Sequence, residues 1–227
     1  MAILFGIVVL LALVFGPGMW VKSVLSRHGV DRPDLPGTGG ELARHLLDEM
    51  KLGDVKVEPT KLGDHYDPQE KAVRLSPAHH DGRSLAAVAV AAHEVGHAMQ
   101  DATGYVLLKR RTDMARVAQV VEKVGGVVML GAPLLAILTR SPAGFLLEFA
   151  AGIAILGTSV VIHLVTLPVE FDASFRRALK VLELGRYVPD RDMPVVRKIL
   201  WAAALTYVAA ACMSLLNVAR WLRILRF

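Results

Sequence analysis

Residues 85–97 read LAAVAVAAHEVGH. Eight apolar residues, Leu85 through Ala92, lead without interruption into His93-Glu94-Val95-Gly96-His97. Ser84, just before the run, is a favoured helix N-cap, and Gly104 is a favoured stop. The pattern therefore predicts a helix from Ser84 through about Ala102. A helix apolar on every side is buried. The run before His93 is about half of the roughly 20 residues needed to span a bilayer, so this is a core helix.

Residues four apart in a helix share a face, so His93 and His97 project side by side and can hold one metal ion through imidazole nitrogens. Glu94 sits about 100° around the axis, close enough to take a proton from water without ligating. H-E-x-x-H on a helix is the pattern of zinc peptidases, with the glutamate as general base. Gly96 allows another backbone to approach closely. A third ligand must come from elsewhere, because no histidine follows soon after His97. The candidates lie in Leu167-Pro168-Val169-Glu170-Phe171-Asp172-Ala173-Ser174, with Glu170 the strongest and Asp172 its competitor.

Composition sets the context. Hydrophobic residues make up 54% of the 227, and mean hydropathy is +0.45. Charge gathers in residues 22–83, 109–123 and 170–198 and thins out between them, the division expected of a chain shared between water and lipid. The net charge of +5 comes with no basic run interleaved with aromatics, so nucleic acid is not an expected partner. The single cysteine, Cys212, excludes a disulfide framework and a multi-thiolate zinc site.

Residues 2–21 form an uncharged apolar run of spanning length. Pro33 to Gly40 reads as a loop, followed by a short amphipathic helix over 41–50. Residues 55–57 and 72–75 read as strands. His65-Tyr66-Asp67 reads as a polar turn before the second strand, since Asp67-Pro68 is a turn signal. The alternative is that the strand at 72–75 is a sheet edge pairing with a peptide, with His65 or Tyr66 steadying an oxyanion. His79-His80 reads as a solvated loop. Residues 124–139 and 143–167 predict a helical hairpin turning at Arg140-Ser141-Pro142, with His163 on its second arm. Residues 200–218 predict a last apolar helix before a basic tail.

These readings predict a mainly α integral membrane protein, with transmembrane helices and a small α+β zincin-like catalytic domain. Its parts are an N-terminal transmembrane anchor (1–21), a soluble catalytic region (22–116), a transmembrane hairpin (117–167), a third-ligand helix with a following soluble segment (168–199), and a C-terminal apolar helix with basic tail (200–227). Of 26 lysines and arginines, 15 fall in residues 22–123 and 7 in 168–199. The positive-inside rule then puts the site on the cytoplasmic face of a bacterial cytoplasmic membrane. Arg220, Arg223 and Arg226 leave the last helix two placements, across the bilayer or on the cytoplasmic domain.

The His93–His97 motif, the segment 167–174, Asp64-His65-Tyr66-Asp67-Pro68 and Ala203-Ala204-Leu205-Thr206-Tyr207-Val208 together resemble the YugP-like neutral zinc metallopeptidases of bacterial membranes, over nearly the whole chain. Glu170-Phe171-Asp172-Ala173-Ser174 also resembles, more distantly, the E-(F/Y)-x-A-D element of HtpX-type membrane peptidases. That likeness implies the third-ligand role for Glu170. Ser174 stands where those relatives carry an aspartate, so the partner that aspartate gives a zinc-bound histidine is missing or replaced, with Asp172 a candidate.

The expectation is a membrane-anchored zinc endopeptidase holding one Zn²⁺ per chain through His93, His97 and Glu170, with Glu94 as general base. Its expected partners are polypeptide substrates, including misfolded or membrane proteins, and the lipid bilayer. The alternative is a non-catalytic quality-control or scaffolding module with a structural zinc.

Overall fold

In the computed structural model, residues 2–139, 143–206 and 208 are described. The chain divides into two compact units. One comprises Pro17–Leu108 and Leu167–Thr206 and holds every residue of the candidate site. The other draws on Met1–Gly16, Lys109–Thr166 and Tyr207–Phe227.

The site-bearing unit is built around helix α4 (Leu85–Ala102). Every residue of it from Leu85 to Ala98 is buried, as an all-apolar surface requires. The Ala87 amide donates to Ser84 Oγ at 3.1 Å, satisfying one of the donors a helix start leaves open. At the far end Gly104 adopts φ +63°, a conformation that suits glycine. The core around α4 takes in Val21 and Val24 from α1 (Ala2–Arg27), Ala43, Leu46 and Leu47 from α2 (Gly39–Glu49), and Val196, Ile199 and Leu200 from α8 (Met193–Ala204). A capping box starts α2: the Thr38 amide donates to Glu41 Oε2 at 2.8 Å, and the Glu41 amide donates to Thr38 Oγ1 at 3.2 Å. Two unpaired amides are satisfied reciprocally in this way.

Three short strands form one sheet in the order β1 (Lys56–Pro59), β3 (Ala72–Leu75), β2 (His65–Asp67). β1 runs parallel to β3 and β2 antiparallel to it. Arg74 on β3 donates to Glu58 on β1 at 3.1 Å and to Asp67 on β2 at 2.7 Å, tying the three strands across one face. The segment 72–75 is thus the central strand and offers no free edge. His65-Tyr66-Asp67 is itself a strand, and the turn signal acts just after it, where Asp67 Oδ1 accepts from the amides of Gln69 and Glu70.

His79 and His80 close a short helix, α3 (Pro77–His80), in place of the expected solvated loop. Asp64 holds its start, accepting from the Ser76 amide at 2.7 Å and standing 2.8 Å from His79 Nδ1. Burial opposes the Asp64 charge, but His79 and Ser76 outweigh it and keep the carboxyl below its ordinary value.

The other unit contains most of α5 (Val106–Thr139) and α6 (Ala143–Phe171). The two pack at Gly125, where a Cβ would fall 2.6 Å from Ile155 Cδ1. The expected turn at Arg140-Ser141-Pro142, Tyr207 and the basic tail lie outside the described residues.

The expectation of an integral membrane protein with transmembrane helices is corrected here. Among the described residues, no helix is long and apolar enough to cross a membrane. α1 and α5 are not apolar throughout. The first half of α5 carries Lys109, Arg110, Arg111, Asp113, Arg116 and Lys123. Pro17 lies within α1, flanked by Gly16 and Gly18, with Lys22 soon after. The described residues are mostly helical with one small sheet.

Candidate metal centre

The third contributor to the site arrives at the end of α6. Glu170 is the penultimate residue of that helix, and the chain continues as a π-helical turn over Asp172–Ala178. This segment lies directly on α4. A Cβ on Gly96 would fall 2.7 Å from the Ala173 carbonyl oxygen, so only glycine lets the two backbones approach this closely. The close approach that Gly96 suggests in the sequence is therefore a packing fact, and it draws Glu170 up to the histidine face of α4.

His93, His97 and Glu170 meet there. Glu170 Oε2 lies 3.1 Å from His93 Nε2 and 3.3 Å from His97 Nε2. One ligand atom from each of the three residues falls within 4.8 Å of the others. Their exposures are 4%, 5% and 2%, and Glu94 beside them is 6% exposed. Burial alone would raise the Glu170 pKa; when the imidazoles are protonated, the charge of His97 and hydrogen bonds from both histidines hold its carboxyl far below the usual carboxylate range.

The far side of each imidazole determines what the near side presents. Ser174 Oγ lies 3.0 Å from His93 Nδ1 and 3.3 Å from the Leu200 carbonyl; with its one proton given to that carbonyl, it accepts from His93 Nδ1–H. Gln100 Oε1 lies 2.9 Å from His97 Nδ1. The Gln100 amide nitrogen donates to two groups that can only accept, the Val169 carbonyl at 2.8 Å and Asp172 Oδ2 at 2.9 Å. Its oxygen is therefore the atom facing His97, and His97 Nδ1 carries the proton. With both Nδ1 positions protonated, a neutral imidazole turns its Nε2 lone pair inward. Two such lone pairs and an anionic oxygen converge on one point, an arrangement that calls for a cation.

The donor set suits zinc. Two imidazole nitrogens and one carboxylate oxygen make the three-ligand set of a catalytic zinc with an open fourth position. Donors about 2.0–2.2 Å from a tetrahedral zinc stand about 3.3–3.6 Å apart, close to the two distances found here.

Asp172 is not drawn into this cluster. Its Oδ2 accepts from Gln100 and, at 2.8 Å, from Arg177 Nε. It touches neither histidine, and Ser174 and Gln100 take the places next to His93 and His97. Tyr66 is engaged elsewhere too: its hydroxyl donates to Asp101 Oδ2 at 2.8 Å, and burial together with that carboxylate raises its pKa above the ordinary tyrosine value. It is not poised to steady an oxyanion. The His163 side chain lies outside the described residues.

Gln100 and Arg177 are the site residues that sequence reasoning missed. A signal for Gln100 exists: it is a polar residue three positions after His97 on a buried helix, where it needs a partner. Arg177 carries no such mark, because its partnership depends on the π turn.

A motif helix bearing two histidines, met by a carboxylate from a second helix, is the arrangement of zinc-dependent hydrolases. The family model described as "Putative neutral zinc metallopeptidase" matches residues 2–226, and the chain belongs to that family. Over 226 residues it is 38% identical to the "Putative membrane protease YugP" of Bacillus subtilis (strain 168), a match covering 99% of this chain and 96% of the relative. No solved structure matches the chain significantly.

Proposed function

We propose that the chain is a zinc-dependent endopeptidase that binds one Zn²⁺ through His93, His97 and Glu170. The observation that carries this reading is the convergence of three buried lone-pair donors beside Glu94. Bound there, zinc supplies Lewis acidity, making water a better acid and a peptide carbonyl a better electrophile. Glu94 takes the proton from the attacking water and returns it to the departing amine. Ser174 and Gln100 hold the two imidazoles with their Nε2 atoms inward throughout. The family's name and the relative's name support peptide-bond hydrolysis.

The relative is named a membrane protease. By that likeness the chain acts at a membrane; the substrates we propose for it are membrane or membrane-proximal polypeptides, misfolded ones included.

Metal removal tests the reading. Purified protein incubated with unfolded polypeptide should cleave it, lose that activity on dialysis against a chelator, and regain it with one equivalent of zinc. Cleavage that survives complete removal of metal, verified by elemental analysis, would contradict the proposal.

A further inference from the structure

The bond that orients His97 is itself held from outside the site. Gln100 is fully buried and makes three hydrogen bonds, to His97, Val169 and Asp172. Were its amide to flip, the nitrogen would face His97 Nδ1 and the oxygen would face the Val169 carbonyl and the Asp172 carboxylate, placing acceptor against acceptor. The Val169 carbonyl and the Asp172 carboxylate together oppose the flip, and Asp172 is in turn set by Arg177. The Arg177 guanidinium donates to it at 2.8 Å and stacks over the Tyr105 ring, 5.7 Å from its centroid.

This last pair depends on the π turn. Asp172 and Arg177 are five residues apart and both lie in the π-helical segment Asp172–Ala178. In an α-helix, residues five apart point about 140° away from each other, whereas a π turn, bonded i to i+5, brings them together. The same segment presents Ser174 to His93.

We propose, resting on the zinc reading above, that Arg177, Asp172 and Gln100 form a positioning relay that sets metal affinity by fixing the tautomer and ring orientation of His97. None of the three contributes a donor to the cluster of His93, His97 and Glu170. Partners of this kind typically change metal affinity about 10–100-fold when removed.

The test uses the full-length purified chain and its variants, with zinc dissociation constants measured by chelator competition and the visible spectrum of the Co²⁺-substituted protein as a second readout. Asp172→Ala should weaken zinc about 10–100-fold and shift the Co²⁺ absorption bands. Asp172→Asn, whose side-chain oxygen can still accept from Gln100 and Arg177, should recover most of the affinity. Arg177→Met alters a partly exposed position and carries the test if Asp172→Ala fails to fold; it should weaken zinc by about tenfold. The double variant Asp172→Ala/Arg177→Met should bind no more weakly than Asp172→Ala alone, because both changes break one chain of contacts.

Wild-type affinity and an unchanged Co²⁺ spectrum in folded Arg177→Met or Asp172→Ala would overturn the relay, as would additive losses in the double variant; either result leaves the zinc reading intact. Failure of the wild type to bind zinc at all would instead overturn that reading, and the relay with it.

Discussion

Glu94→Gln is expected to retain one zinc per chain and to lose about 10²–10⁴-fold in kcat, the range by which a positioned general base accelerates proton transfer. The substitution keeps the volume and most of the hydrogen-bonding capacity of a residue that is 6% exposed, so the helix and its histidines should remain in place. What it removes is the ability to accept a proton near neutral pH. Peptide hydrolysis by the purified variant is the measurement, with zinc content and thermal stability as controls. A variant that cleaves as well as the wild type would exclude Glu94 as base. In cells, equal complementation by variant and wild type would favour a scaffolding module in which zinc is only structural.

The second large effect is expected at Glu170. Structural zinc sites bind with apparent free energies of roughly 10–16 kcal/mol at neutral pH. Losing one of three protein ligands should forfeit about a third of that, roughly 3–5 kcal/mol, or about 10²–10⁴ in affinity. Glu170→Ala should therefore bind zinc weakly, and the rise in Tm that zinc produces in the wild type should disappear. Asp172→Asn, two residues away, should keep that rise, because Asp172 reaches the site only through Gln100. Titration calorimetry with zinc, paired with thermal unfolding in its presence and absence, gives both quantities. Unchanged affinity in Glu170→Ala would remove it from the ligand set.

The helix carrying the site could be read from residues 84–104 alone, because its cap, its all-apolar surface and its terminal glycine agree with one another. The pairing of Glu170 with His93 and His97 was legible as far as a candidate with one competitor. Choosing between Glu170 and Asp172 required geometry. A helix face read at 3.6 residues per turn does not anticipate the π turn that begins at Asp172 and directs its carboxylate toward Gln100 and Arg177. That same change of period hid Arg177.

Elsewhere, a correct local signal was given the wrong extent. Asp67-Pro68 does mark a turn, but His65–Asp67 before it pairs with Ala72–Arg74 as the edge strand β2. Ser76-Pro77 ends a strand and also begins a helix, since proline suits the first helical turn, and the structure uses both properties. The expectation of spanning helices rested on apolar run length. Among the described residues no helix is long and apolar enough to cross a membrane.

The most direct test of zinc binding at this site is X-ray absorption at the zinc edge on the purified, metal-loaded protein, with elemental analysis of the same sample. Zinc held by His93, His97 and Glu170 predicts one zinc per chain, two imidazole nitrogens and oxygen donors at about 2.0–2.2 Å from the metal, and loss of that signature in Glu170→Ala. Absence of zinc, a sulfur ligand, or an identical spectrum in the Glu170 variant would contradict it.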